Sequence, residues 1–205
     1  MIKATKQNKK ERVYMEQTMR EYLRKGEVVC WESKPADFSA LDGMTKKSYL
    51  IRLLATVLVA GGIIAGHLLS EGETRPGLIV LVIVAAAAVA VSPFWQKRRL
   101  MKNIYWITDQ RVIMMSTDRV AKSMELQEID AFKVMADGTA KNCLILGSAA
   151  FPEAEKNIRW YALTPKVDDE AGGNKSHAKG LVFYNAERVE EAVQLLKQAG
   201  CAKIA

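Results

Sequence analysis

Two histidines, three cysteines and one acidic run have the most chemistry to offer in this 205-residue chain. Their spacing uses little of it. Cys30, Cys143 and Cys201 lie far apart and are odd in number, with no CxxC and no Cys/His spacing. Neither a zinc site nor a disulfide framework is expected from them, only idle thiols in a reducing cytoplasm. His177 sits in the polar stretch GGNKSHAKG, while His67 lies in an apolar run. The run VDDE (Val167 to Glu170) has the charge to hold a hard cation but lacks the alternating ligands and glycine of an EF-hand loop. It reads as a solvated charge run. GxSxG, HExxH, P-loop and strand–helix GxGxxG patterns are missing. The expectation is a non-enzymatic protein with no metal, cofactor or small-molecule substrate.

The basic residues are more informative. The formal net charge is +7, and residues 1–49 hold eleven Lys and Arg against seven acids. Lys97, Arg98, Arg99 and Lys102 form a second cluster, whereas residues 103–205 hold thirteen bases against fourteen acids. A nucleic-acid domain would carry its own basic face, so no nucleic-acid partner is expected.

Between the two basic regions lie Leu50 to Leu69 and Gly77 to Phe94, both aliphatic and Ala-rich. A helix needs about 20 apolar residues to cross a bilayer core, with a range of roughly 17 to 25. Neither segment shows an apolar stripe of period 3.6, which argues against two buried soluble helices. Two transmembrane helices at 50–69 and 77–94 are expected, joined by an outer loop at 70–76. Lys and Arg near span ends stay cytoplasmic, which places both termini on the cytoplasmic side of the membrane. Lys46, Lys47, Tyr49, Arg52, Trp95, Lys97, Arg98, Arg99 and Lys102 are the expected membrane-interface residues. The lysines attract an anionic inner leaflet at about 1 kcal/mol each. Tyr49 and Trp95 supply the aromatic belt. Pro93 falls where the second helix would stop or kink.

Gly62 and Gly66 form a GxxxG spacing, echoed by Gly61 and Ala65 and by the run Ala85 to Ala88. Small residues let helices approach closely in lipid. Packing between the chain's own two helices is the economical reading, and dimerisation through Gly62 and Gly66 is the sharper one. Arg52 and His67 lie at opposite edges of the first span with no acidic partner in either span, which disfavours a proton relay.

Beyond the basic cluster the period switches to two. Ile104 to Thr108, the turn Asp109-Gln110, and Arg111 to Met115 predict a hairpin. Further strands are predicted at Val120 to Leu126, Ile129 to Met135, Asn142 to Leu146, Ile158 to Leu163 and Leu181 to Tyr184. Val189, Ala192, Val193 and Leu196 predict a final helix, with Asn185 as N-cap and Gly200 as terminator. Lys3 to Arg24 predicts a basic helix that lies on the inner leaflet, packs on the β-domain or frays as a tail; all three readings are open.

YWITDQRVIMMS, MELQEIDAFKV and GLVFYNAERVEEAVQLLKQ resemble the bacterial PH-like domain family over roughly residues 23–199. Membrane-bound members place a two-helix hairpin just before a Tyr-x-x-Thr-x-x-Arg hairpin, here Tyr105, Thr108 and Arg111. LRKGEVVCWESKP is similar to the Gly-Glu…Trp…Pro segment that many members carry. The resemblance implies a membrane protein of α+β class, with a bent barrel of two sheets in a domain at 103–205, capped by the C-terminal helix. Whether Glu27 to Ser33 joins that barrel is open. Eukaryotic PH domains hold inositol phosphates with a long basic loop, and the corresponding loop here is only Asp109-Gln110. The expected role is a scaffold or assembly module with a protein partner or a second copy. The alternatives are an accessory subunit of a membrane transporter or membrane enzyme, and a lipid-headgroup sensor.

Overall fold

The hairpin turn forms where the spacing places it. In chain order the strands are β1 (Val29–Ser33), β2 (Ile104–Thr108), β3 (Arg111–Met115), β4 (Ala121–Glu125), β5 (Ala131–Asp137), β6 (Ala140–Leu146), β7 (Leu181–Phe183) and β8 (Ala202–Lys203). The helices are α1 (Met44–Leu69), α2 (Pro76–Leu100), α3 (Phe151–Leu163) and α4 (Val189–Gln198). This computed structural model describes residues 17–18, 20–69, 76–116, 120–167 and 176–203. Most of the predicted N-terminal helix, the outer loop and most of VDDE lie outside the described residues.

Thr108 closes the β2–β3 turn, its hydroxyl oxygen accepting the N–H groups of Gln110 at 3.2 Å and Arg111 at 2.9 Å. β4 pairs with β3 and β1 with β2, giving an antiparallel sheet in the order β1-β2-β3-β4. Residues 29–33 therefore belong to the sheet, with a register shift between Val29 and Trp31. The second sheet runs β7-β6-β5-β8, antiparallel except for the short parallel pair β5–β8. Because β1 precedes α1, the β-unit is built from both sides of the helix pair. The boundary expected at residue 103 encloses only part of it.

Apolar alternation turns Tyr105, Ile107, Val112 and Met114 of the first sheet toward Phe132, Leu144, Leu146 and Phe183 of the second. Tyr105 and Phe183 stack at 4.6 Å. Each such side chain contributes about 1.5–3 kcal/mol through burial. α4 lays Val189, Ala192 and Leu196 on this core, the stripe its spacing predicts. Asn185 is not its N-cap. Arg188 holds that position at φ 54°, and the Asn185 amide instead donates to the carbonyls of Ala36 and Asp37. Gly200, at φ 87°, ends the helix: its N–H bonds Lys197 O, and the Cys201 N–H reaches back to Leu196 O.

The segment predicted as a strand at Ile158 to Leu163 is the second half of α3. Ala154, Ile158, Tyr161 and Ala162 recur at helical spacing and are all buried. Within α3, Asn157 departs from helical geometry (φ −156°, ψ 82°), and its Oδ1 accepts the Trp160 N–H at 3.1 Å, restarting the helix as an N-cap does.

α1 and α2 also run further than expected, each gaining about six residues at its basic end. Pro93 does not stop α2. It removes the N–H that would serve Val89 O, and the Ser92 hydroxyl donates to that carbonyl at 2.8 Å. Tyr49 on α1 donates to Ala90 O at 3.0 Å, so a side chain from the neighbouring helix satisfies the loosened turn. A 26-residue helix rises about 39 Å at 1.5 Å per residue, against a hydrocarbon core of about 30 Å. Both helices are long and apolar enough to cross a membrane. In their most apolar 18-residue windows, 0% of the first and 6% of the second is buried, so the other described residues do not cover them.

Gly62 and Gly66 do not carry the packing between α1 and α2. A methyl group at either would meet no described neighbouring atom within 4 Å. Gly62→Ala and Gly66→Ala should therefore leave thermal stability in detergent unchanged or raise it by up to about 1 kcal/mol each, from helix propensity alone. A loss above 1 kcal/mol in a melt of the detergent-solubilised protein would overturn this placement.

Candidate functional site

The basic ends of α1 and α2 meet the β-unit through a clasp around Arg159. This residue is 2% exposed and cannot lose its proton, so each buried N–H needs an acceptor. Its Nε is shared between Asp137 Oδ2 at 2.7 Å and the Tyr184 hydroxyl at 2.9 Å. Nη1 donates to Ala40 O at 2.6 Å and Nη2 to Asp42 O at 2.9 Å, both just before α1. The Tyr184 hydroxyl donates to Asp137 Oδ2 at 2.7 Å; burial and then the Asp137 charge push its pKa well up. One guanidinium thus joins α3, the end of β5, the end of β7 and the chain entering α1.

The β5–β6 turn fits this junction so closely that it requires glycine. Gly138 has φ 63°, and a Cβ there would lie 2.4 Å from the Gly43 nitrogen. Gly43 has φ 69°, and its Cβ would collide with the Asp137 carboxylate. Phe38 packs edge-on to Tyr184 at 4.8 Å, with Arg159 5.3 Å and Lys97 5.4 Å from its ring. Lys97 in the last turn of α2 also pairs with Asp37 at 2.7 Å, holding that carboxyl below its usual range. Lys97, expected at the lipid interface, thus also takes part in the clasp.

A second buried pair joins the same two stretches of chain. Arg111 Nε and Nη2 reach the Glu27 carboxylate at 2.9 and 3.0 Å, the carboxylate being fully buried. The Thr108 hydroxyl donates to Glu27 Oε1 at 2.8 Å. Burial opposes ionisation of Glu27, but Arg111, the Arg24 N–H and Thr108 outweigh it and hold the carboxyl below its usual range. The Tyr105 hydroxyl bonds the Tyr184 backbone, while Thr108, Arg111 and Glu27 are structural residues. Their work is to fasten β1 and its approach to the hairpin.

Beside the clasp, α1, α2 and α3 enclose a crevice of about 210 Å³. Arg52 and Tyr49 line it from α1, Ser92 and Gln96 from α2, and Lys156 and Asn157 from α3. Lys46 and Lys47 stay exposed on the first turns of α1. Trp95 is 64% exposed, with the Arg99 guanidinium 5.7 Å from its ring. Arg98 is exposed, and Lys102 lies in the turn that hands α2 to β2. The structure thus brings Tyr49 and Arg52 to the crevice and Lys97 to the clasp, and leaves Lys46, Lys47 and Arg98 outside both. Sequence reasoning missed Arg159, Asp137 and Lys156. The available signal was the helical recurrence of Ala154, Ile158 and Tyr161, which would have put Lys156 and Arg159 on a helix.

Elsewhere, His177 Nε2 and Glu128 Oε2 lie 2.8 Å apart. No group of three or more metal-ligating side chains occurs among the described residues. Cys143 is buried, and burial pushes its thiol up to about 12, far from a reactive thiolate. Comparison of the chain with models of known families, with curated proteins and with solved structures finds no match.

Removing one partner from a buried pair costs about 3–5 kcal/mol, while replacing both by apolar residues costs much less. Arg159→Met should lose about that much by denaturant melt, and Arg159→Met/Asp137→Leu should recover part of it, since the Tyr184 hydroxyl and the Ala40 and Asp42 carbonyls still lack the partners they have here. A double variant no better than the single would refute the pairing. The pH dependence follows from Glu27. Its pKa is below the ordinary 4.5, so its contribution is complete above that value and is lost as pH falls below it. Glu27→Gln should be less stable at pH 7 and show a flatter loss toward pH 3 in thermal melts.

Proposed function

We propose that the chain is a non-enzymatic, integral inner-membrane protein whose PH-like β-domain is held at the cytoplasmic face as a scaffold or assembly module. The observation that carries this reading is the join between helices and sheets. α2 passes into β2 through only Met101, Lys102 and Asn103, and the Arg159 clasp fixes the chain entering α1 to the same unit. A domain joined at both ends of a hydrophobic helix pair has no free linker and presents its surfaces in a set orientation to the bilayer. The uncovered apolar faces of α1 and α2 support insertion, since such area in water would be an aggregation surface. The basic residues at one end of the pair support a cytoplasmic β-domain.

The two-sheet arrangement with α4 across it supports a PH-like barrel. The groove beside β1, about 560 Å³ and bordered by Val28, Cys30 and Arg188, supports a protein partner or a second copy, because an edge strand offers backbone groups to another chain. A second reading is an accessory subunit of a membrane transporter or enzyme. The Gly62 and Gly66 face favours it, as no described residue of this chain packs there.

Topology is directly testable. A reporter active only outside the inner membrane should be silent when fused after Ala205 and active when inserted at Gly72. The opposite pattern would invert the proposed orientation. In-cell cross-linking from Cys30, followed by mass identification, should recover another protein or a second copy on the β1 groove. Cross-links confined to lipid would remove the scaffold reading.

A further inference from the structure

We propose that the crevice between α1, α2 and α3 binds the phosphate of an anionic phospholipid. The inference rests on the reading that α1 and α2 span the membrane. The crevice lies at the basic end of the pair, on the level of Tyr49 and one turn from Trp95, where a headgroup would sit. Its volume of about 210 Å³ is well above the roughly 15 Å³ that one water requires.

The charge of the lining is one-sided. Arg52 and Lys156 contribute two cations, and none of the lining residues is acidic. Neither cation has a carboxylate within 4.0 Å among the described residues. This contrasts with Lys97, Lys133 and Lys166, which pair with Asp37, Glu155 and Glu153. Asn157 adds direction. Its Oδ1 is committed to the Trp160 N–H, leaving its side-chain nitrogen as a donor on the crevice wall. Tyr49 and Ser92 are committed in the opposite sense, their hydroxyl protons going to the carbonyls around Pro93. The resulting wall is cationic, rich in donors and fixed in shape by the Pro93 turn.

A lipid fits this place better than free phosphate because of what adjoins it. α1 and α2 run on from the crevice into long apolar stretches whose side chains the described residues leave uncovered. Acyl chains running along these side chains would cover apolar area while the phosphate meets Arg52 and Lys156. Lys46 and Lys47 attract a charged surface without enclosing anything. Arg52 and Lys156 differ in that they border a cavity.

The test uses the full chain in neutral detergent. Short-chain phosphatidylglycerol is titrated in, and bound lipid is counted by native mass spectrometry. We expect one tightly held phosphatidylglycerol per chain and little retention of the matching diacylglycerol, which lacks the phosphate. At about 1 kcal/mol for each direct contact with the phosphate, Arg52→Gln/Lys156→Gln should weaken binding about thirtyfold, while Lys46→Gln/Lys47→Gln, outside the crevice, should change the capture of a single lipid in detergent only a few fold. Arg52→Lys/Lys156→Arg keeps both charges and should keep binding, which separates lost charge from lost fold. Unchanged retention in Arg52→Gln/Lys156→Gln would overturn the proposal. Displacement by millimolar inorganic phosphate would overturn the lipid as the source. Release of the chain from membranes by alkaline carbonate would remove the spanning reading, a failure visible without any lipid titration.

Discussion

A guanidinium sealed from water dictates the organisation of this protein. Arg159 is charged at any accessible pH, so its burial is tolerable only while Asp137, Tyr184, Ala40 and Asp42 all stay in place around it. Two of those acceptors are backbone carbonyls of the chain that enters α1. The direction in which the helix pair leaves the β-unit is thereby tied to an electrostatic requirement, and a loop that swung away would strand a buried charge. The same requirement explains Gly43 and Gly138, since a Cβ at either would hold the Asp137 turn off the segment before α1.

The Glu27–Arg111 pair applies this logic at a second point. Glu27–Arg111 joins a residue before the helices to one after them, as Arg159 does through Ala40 O and Asp42 O, and both ion pairs are inside, where salt screens them least. Exposed pairs such as Arg188–Glu191 contribute little by comparison. Hydrophobic packing between the sheets supplies most of the free energy. The two buried pairs determine which segments come together.

What the sequence made legible follows from the range of the forces involved. The β2–β3 hairpin, the stripe on α4 and the terminator Gly200 are local patterns of period or turn chemistry, and each forms as expected. α1 and α2 were legible as apolar runs, but their basic ends were not. Backbone hydrogen bonding carries a helix past the last apolar residue through Lys46 and Lys97. α3 was misread because Ile158 to Leu163, taken alone, is β-branched and aromatic, while the stripe that defines the helix begins at Ala154. The clasp was out of reach for a different reason. Arg159 meets Ala40 and Asp42 at separations of 119 and 117 residues, with no periodic signal between them. Asn185 was read as a local cap because its loop partners, Ala36 and Asp37, are equally remote.

The placement of β1 ahead of the helix pair has a consequence for biosynthesis. Glu27 leaves the ribosome 84 residues before Arg111, and Trp31 long before the strand it pairs with. Throughout that interval the nascent segment carries a carboxylate and a tryptophan destined for burial, with nothing yet to bury them. Both helices must be synthesised before the first sheet can close. Completion of the β-unit therefore reports that the helix pair has been made and has turned back on itself. A chain whose second helix failed to return would leave β1 unpaired and open to proteolytic quality control.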